Sequence, residues 1–393
     1  MGLVGSETYP PMQRRLRLGI VGGGRGGLVG QWHWIGARLS NRWELVAGAL
    51  SSKPERARAS GKDWQLADDR IYTDFHAMAE AEAAREDGIE AVAICTPNWT
   101  HREIAEVFIK ADIDVICDKP LALTLDDCDA LEMALSGKNL VFALSYPYVY
   151  HPMVRQAREM VRLGAIGEVR QALVEYAQDW ATAAQGDDNR QYAWRQDPAR
   201  VGRASATGDI GTHALQLLEC VSGLEVTALR ADFHTCGAAK PMEDTAFMNL
   251  RLGARKVPAS LWISQAAPGN HGGLTLRLYG EKGGLAWHQE TPEVLRYTPL
   301  DEPEQTFVRG HGAGMLPAAE RMVTLPRGHG EALSDAWGNL YREIAIAVEA
   351  RRNEWKLPED LLMVPDIATG IRGVRFVHAA ADSHETGGAW QLL

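Results

Sequence analysis

Three short segments carry residue types that can move protons and charge. Gly22-Gly23-Gly24-Arg25-Gly26-Gly27 follows an apolar run, Asp118-Lys119-Pro120 ends a later one, and Asp209-Ile210-Gly211-Thr212-His213 opens a helical stretch. A lysine delivered to a strand end can hydrogen-bond a hydroxyl and stabilise the alkoxide that develops as a hydride leaves. Asp209 and His213 are spaced i, i+4, which puts them on one helix face, and a carboxylate beside an imidazole makes a general base near neutral pH. Gly211 between them costs roughly 1 kcal/mol in a helix, so the close approach of a ring or backbone is expected there.

The glycine segment fits the pattern Gly22-x-Gly24-x-x-Gly27 between a strand and a helix. Backbone amides and a helix N-terminus meet a dinucleotide pyrophosphate in that setting, and missing side chains permit its close approach. Arg25 within the turn joins Gly22, Gly24 and Gly27 as a candidate contact. The second strand ends Leu50-Ser51-Ser52-Lys53, with Arg56 one turn on, where NAD sites usually carry an acid. Ser51, with Ser52 beside it, suits either a ribose hydroxyl or a phosphate, and Lys53 or Arg56 suits a 2′-phosphate, so NAD and NADP both stay open. Thr96-Pro97-Asn98-Trp99-Thr100-His101 leaves another strand at its carboxyl end, where ligands of parallel sheets collect, and Asn98 reads as a helix cap. Thr96, Pro97, Asn98, His101, Asp118 and Lys119 complete the candidate cofactor contacts.

Those segments need a sheet edge to bring them together. Leu18 to Val21, Leu45 to Leu50, Ala91 to Ile94, Asp114 to Cys117 and Val141 to Leu144 read as strands, with helical stretches Pro54 to Trp64, His76 to Arg85, Arg102 to Lys110 and Asp126 to Leu135 between them. That alternation describes an α/β doubly wound parallel sheet. After Gly167 the texture turns to longer strand candidates at Val169 to Gln178, Thr227 to His234, Thr245 to Leu252 and Val257 to Gln265, with period-2 alternation around Leu274, Leu276 and Leu278. A helix at Thr207 to Val221 interrupts an otherwise α+β domain with an open-faced, mostly antiparallel sheet. Pro299 to Gly330 reads as a long loop, a lid or an oligomer contact.

The expected organisation is a disordered extension over 1–15, a dinucleotide-binding domain over 16–150 and a substrate and oligomerisation domain over 151–393, whose helix near 331–351 packs back on the first. Substrate contacts are expected from Tyr148 and Tyr150 where the domains join, and from Tyr176, Asp179, Trp180 and Arg195 along the open sheet, beside Lys119, Asp209 and His213. Aromatics with polar tips suit rings that offer both apolar faces and hydroxyls.

The chain has 393 residues, and 41 basic against 51 acidic side chains give a net charge of −10 without a basic cluster, which argues against nucleic acid. Five dispersed cysteines describe no disulfide framework and fit a reducing, cytoplasmic setting. Arg14-Arg15 precede only a short apolar run, too short for an export signal, and no stretch is long enough to span a membrane. The spacing of the 12 histidines and the acids shows no metal-ligand pattern. An exposed apolar sheet face predicts a homo-oligomer, dimer or tetramer.

With these segments in this order the chain resembles the Gfo/Idh/MocA oxidoreductase family. The resemblance rests on the glycine turn, Thr96-Pro97-Asn98 with His101, Asp118-Lys119-Pro120 as a version of Glu-Lys-Pro, Trp194-Arg195, Asp209-x-Gly211-x-His213 and the ending Gly387-Gly388-Ala389-Trp390, and it covers nearly the whole chain. It implies a Rossmann domain plus an open-faced β-sheet domain, NAD or NADP, and oxidation of a secondary hydroxyl on a sugar, inositol or glycoside. Lysine and the Asp/His pair handle the proton in such enzymes. Two departures stand out: Asp118 shortens the usual Glu, and Gln216 stands where an Asp often follows the histidine. The same residues would serve a redox glycosidase acting by transient oxidation and elimination. A cofactor-sensing binding protein is a third reading, against which the joint presence of Lys119, Asp209 and His213 argues.

Overall fold

The computed structural model describes residues 12–183, 197–238, 240–312, 314–358 and 360–393. The chain forms two compact units and passes between them at Pro147/Tyr148, Ala332/Leu333 and Ile371/Arg372.

The first unit holds a parallel five-stranded sheet in the order β2-β1-β3-β4-β5. Its strands are β1 (Leu16–Gly22), β2 (Trp43–Ala49), β3 (Ala91–Cys95), β4 (Asp114–Cys117) and β5 (Phe142–Leu144). Every residue of β3, β4 and β5 is buried, which is why they read as unbroken apolar runs. Five helices alternate with the strands: α1 (Val29–Ser40), α2 (Pro54–Asp63), α3 (Phe75–Ala83), α4 (His101–Lys110) and α5 (Leu125–Leu135). Local chemistry sets their starts. Pro54 opens α2, the Asp74 carboxylate caps α3 at Ala77 N, and Thr124 Oγ1 caps α5 at Asp127 N. The chain turns from β1 outward to β2 and then back to β3 on the other side, so the crevice at the carboxyl ends of β1 and β3 is the switch point of the sheet.

The 1–15 extension is ordered at its end, a correction to the expected disorder. Arg14 meets both Glu90 oxygens at 2.7 Å and so ties the residues before β1 to the sheet.

The second unit holds a nine-stranded sheet built from β6 (Val169–Ala177), β7 (Val226–His234), β8 (Thr245–Leu252), β9 (Val257–Ser264), β10 (Gly273–Gly280), β11 (Gly283–His288), β12 (Val294–Pro299), β13 (Gln305–Val308) and β14 (Gln391–Leu392). The order is β13-β12-β11-β10-β6-β9-β8-β7-β14. Only the β6/β9 pair is parallel; the other pairs are antiparallel. Helices α6 (Pro152–Arg162) and α7 (Thr212–Ser222) lie in this unit, and α7 ends at Gly223 with φ 68°. The expected loop over Pro299 to Gly330 is corrected at Gln305–Val308, which pairs with β12 as an edge strand.

Two long helices complete the chain. α8 (Leu333–Arg352) packs on α1 within the first unit: a Cβ on Gly36 would lie 2.8 Å from Tyr341, and Trp43 Nε1 donates to Tyr341 O at 2.9 Å. α9 (Ile367–Glu385), a helix not expected from the sequence, begins in the first unit and belongs to the second from Arg372 onward. No helix of the described residues is long and apolar enough to cross a membrane.

Candidate active site

In the first unit the glycine turn joins β1 to α1 at the switch point. Gly22, Gly23 and Gly26 have φ of 82°, 69° and 77°, values that only glycine adopts freely. A Cβ on Gly24 would stand 2.5 Å from Leu50 O and 2.7 Å from Ser60 Oγ. Gly30, outside the six-residue pattern, is the glycine that lets α1 close on the turn, since a Cβ on Gly23 would come within 2.5 Å of Gly30 Cα. The N-terminus of α1 has no side-chain cap, so no side chain competes there with an anionic ligand. These features fit a dinucleotide pyrophosphate.

The charged candidates around the turn are placed differently from expectation. The Arg25 guanidinium pairs with Asp63 on α2 at 2.5 and 2.7 Å, and its amide donates to Ser60 Oγ at 3.0 Å. Arg56 donates to the Arg25 carbonyl. Both arginines thus fasten the turn to α2. Ser51 Oγ accepts the Lys53 amide at 3.1 Å and keeps its own hydrogen for donation, while Ser52 and Lys53 are exposed.

At the end of β3, Thr96 packs on the turn, its Cγ2 2.7 Å from where a Gly22 Cβ would be. Pro97 precedes a single turn of 3-10 helix over Asn98–Thr100. Asn98 does not cap a helix: neither this turn nor α4 has a side-chain cap, and Thr100 Oγ1 bonds Pro97 O at 2.8 Å instead. Asn98 Oδ1 is buried without a hydrogen-bond partner among the described residues, an acceptor of the kind a bound cofactor satisfies. His101 is corrected from a contact to a support. It is 1% exposed, with Nδ1 3.0 Å from Pro120 O and Nε2 2.9 Å from Thr96 O, so it clips the β3 edge to the β4 edge. Burial lowers its pKa below the usual histidine range.

The β4 edge carries Asp118 and Lys119, with a cis bond to Pro120. Ser145 from the end of β5 donates to Asp118 Oδ1, and His33 Nε2 of α1 stands 3.6 Å from the same oxygen. Burial alone would raise the Asp118 carboxyl, but His33, Lys119 and Ser145 outweigh it and hold it down at about 2. Lys119 is half-buried. The sequence reading did not single out His33 or Ser145, each an isolated residue brought to the edge by tertiary packing.

In the second unit the stretch Thr207–Gly211 forms a π-helical turn before α7, where a plain helix was expected. Such turns cluster at functional positions because they reset which side chains face a site. Gly211 fits the close approach foreseen for it: a Cβ would lie 3.3 Å from the Phe376 ring. Asp209 accepts a hydrogen bond from Gln265 Nε2 at 2.9 Å, and Gln265, 2% exposed, was not foreseen. Its backbone fixes it, with Gln265 N donating to Asp244 O and Gln265 O accepting from Ala181 N.

His213, Tyr148 and Tyr176 form one aromatic cluster. The His213 ring meets Tyr148 edge to face at 4.9 Å and lies 6.3 Å from Tyr176, while the two tyrosine hydroxyls hydrogen-bond each other. Burial, with Asp209 adding to it, pushes Tyr148 up to about 12 and Tyr176 well above its usual value, so both hydroxyls stay protonated. Trp180 Nε1 donates to Gln178 Oε1 at 3.0 Å, and the Asp179 carboxylate stands 3.6 Å from His271 Nδ1. Tyr150 is corrected: it is fully buried under the Arg155 guanidinium, 4.6 Å from its ring centre, and serves packing. Arg195 lies outside the described residues.

Comparison with known proteins bears on both units. Residues 16–146 match the oxidoreductase family with an NAD-binding Rossmann fold, and residues 154–286 match the Gfo/Idh/MocA C-terminal domain. The uncharacterized oxidoreductase YfiI of Bacillus subtilis is 32% identical over 96% of this chain and 97% of its own. A solved oxidoreductase from Sinorhizobium meliloti is 43% identical with a TM-score of 0.86, covering 96% of this chain and all of that one (100%). An inositol dehydrogenase homologue from Azotobacter vinelandii, solved with NADH and myo-inositol, is 31% identical with a TM-score of 0.89, covering 98% of this chain and 100% of that one. Both domains matched in sequence order, and near-complete coverage at this identity, mean that the chain belongs to the Gfo/Idh/MocA family of NAD-binding oxidoreductases.

Proposed function

We propose that this oxidoreductase is an NAD-dependent dehydrogenase that oxidises a secondary hydroxyl of a polyol or cyclic sugar. The carrying observation is the buried His213–Tyr148–Tyr176 cluster beside Asp209, which offers one imidazole and two protonated hydroxyls to a polyhydroxylated ring. His213 takes the proton of the reacting hydroxyl. Asp209, held by Gln265, supplies the negative charge that favours the imidazolium. One of the two tyrosine hydroxyls donates to the other, so the pair keeps one hydrogen to donate and oxygen lone pairs to accept from neighbouring substrate hydroxyls, which fixes which carbon presents its hydrogen. Lys119 keeps the role argued for it from the sequence, a lysine that hydrogen-bonds a hydroxyl and stabilises an alkoxide. NAD, when bound, supplies the hydride acceptor.

Two observations favour NAD over its phosphorylated form. Arg25 and Arg56 are engaged by Asp63 and by the turn backbone, leaving exposed Lys53 as the cation after β2, and Ser51 keeps a hydrogen for a ribose oxygen. The relative with NADH and myo-inositol at 31% identity agrees with both cofactor and substrate class.

A panel of inositols, sugars and aryl glycosides, each with NAD and NADP, tests the proposal by nicotinamide absorbance and aglycone release. Reduced NAD accumulating with a polyol supports it; aglycone release without reduced cofactor reassigns the chain as a redox glycosidase. We also infer self-association through the outer sheet face, where Phe247 is 53% exposed and stacks on Trp262 at 6.3 Å. A monomer in gel filtration overturns that inference.

A further inference from the structure

Beneath the Asp118-Lys119 edge lies a buried polar cluster that the reaction scheme above leaves without a role. His33, in the second turn of α1, is 0% exposed and packs on Trp337 of α8 with ring centres 4.9 Å apart. Its Nδ1 is 2.6 Å from the Tyr341 hydroxyl, also of α8. Its Nε2 faces Asp118 Oδ1 at 3.6 Å, beyond hydrogen-bond range, and has no hydrogen-bond partner among the described residues. Leaving a buried ring nitrogen unsatisfied costs on the order of 1–3 kcal/mol, and a phenyl ring in the same packing would avoid that cost. The imidazole therefore calls for a reason beyond packing.

The geometry supplies one. Burial holds the Tyr341 hydroxyl well above its usual pKa, so it remains a donor. With Tyr341 donating to Nδ1, a neutral His33 ring carries its hydrogen on Nε2, aimed at the carboxylate. That carboxylate belongs to the shortened residue of the motif: Asp118 is one methylene shorter than the Glu of the family pattern, which draws the charge back from the strand edge toward α1. Ser145 donates to the same oxygen from the other side. Asp118 in turn is the residue next to Lys119.

We propose that His33 is a positioning residue, which sets the Asp118 carboxylate and through it the Lys119 segment, with Tyr341 fixing the ring. The helix that carries His33 is the one that closes on the glycine turn through Gly30. One helix thus supports both the cofactor turn and the lysine edge. The inference rests on the reading of Lys119 as a reacting group, and its test separates the two.

Three proteins are compared: wild type, His33→Phe, which keeps the ring packing on Trp337, and His33→Gln, whose amide restores a donor near Nε2. His33→Phe is expected to lower kcat about tenfold or more while the NAD dissociation constant stays within about threefold, with His33→Gln recovering most of the loss. Acylation of Lys119 by acetic anhydride, read by mass spectrometry against exposed Lys110, reports the lysine's setting without any substrate. In His33→Phe that rate is expected to change at least about threefold relative to Lys110, and to return toward wild type in His33→Gln. If the wild type oxidises no alcohol, the dehydrogenase reading fails and the labelling arm alone judges His33. A folded His33→Phe protein whose Lys119 labelling matches wild type overturns the positioning role, as does an unchanged kcat in an active enzyme.

Discussion

The His213 ring meets the Tyr148 ring at a right angle, centres 4.9 Å apart and planes at 89°. An edge-to-face contact of this kind fixes the imidazole plane without consuming either hydroxyl of the tyrosine pair. His213→Asn is expected to lower kcat by about 10²–10⁴, the contribution of a positioned general base, while the NAD dissociation constant, measured by fluorescence titration, is unchanged. Tyr148→Phe is expected to act mainly on KM for the alcohol. Equal losses in kcat for the two variants would count against the division of roles.

Gln265 gives Asp209 its hydrogen bond at 2.9 Å. Replacing it with Leu removes a donor to a charged acceptor, a loss of about 1.5–3 kcal/mol in this type of bond. A fall in kcat/KM of roughly 10- to 100-fold is expected, with a smaller effect in Gln265→Glu at low pH, where the new carboxyl can donate. Steady-state rates of the two variants across pH check this; identical activity in wild type and Gln265→Leu would dismiss Gln265 as a support.

Gly24 has Leu50 O and Ser60 Oγ where a Cβ would go, at 2.5 and 2.7 Å. Gly24→Ala is expected to weaken NAD binding at least about tenfold and to destabilise the protein by roughly 1–3 kcal/mol through overpacking. Calorimetric titration with NAD and a thermal melt measure the two effects separately.

His151 is buried, and burial holds its pKa down at about 4 despite a bond to Gln289. The unfolded chain takes up this proton near pH 6.5 and the folded protein only near 4, so stability falls as pH drops through that window. Urea unfolding at pH 5 is expected to show about 2 kcal/mol less from this group than at pH 7, and His151→Phe is expected to abolish that component. Asp118 acts in a lower window. Its folded pKa near 2 lies below the unfolded value, so its contribution, present above about pH 4, is lost as pH falls toward 2.

The sheet of the first unit was legible because β3, β4 and β5 are buried on both faces and therefore read as continuous apolar runs. The glycine turn was legible as a strand–turn–helix pattern, whereas Gly30 was not, because its reason is contact with Gly23 rather than turn geometry. α9 escaped notice: Gly370 and Gly373 interrupt its pattern, although its buried residues, Val374, Val377 and Ala381 among them, recur at helical spacing. The edge strand Gln305–Val308 is short and mostly exposed, with little apolar signal. His33, Ser145 and Gln265 belong to no motif, and only tertiary packing brings them to the motif carboxylates. The π-helical turn at Thr207–Gly211 likewise has no signature in a spacing that suits an ordinary helix.

The most direct test of the account follows the hydride itself. Myo-inositol carrying deuterium on its carbinol carbons is incubated with the protein and NAD, and the nicotinamide ring is read by NMR. The account predicts deuterium in the reduced nicotinamide, a primary isotope effect on single-turnover formation of reduced cofactor, and loss of the transfer in His213→Asn. Reduced cofactor with no deuterium, or no transfer from any inositol or sugar of the panel, would contradict it.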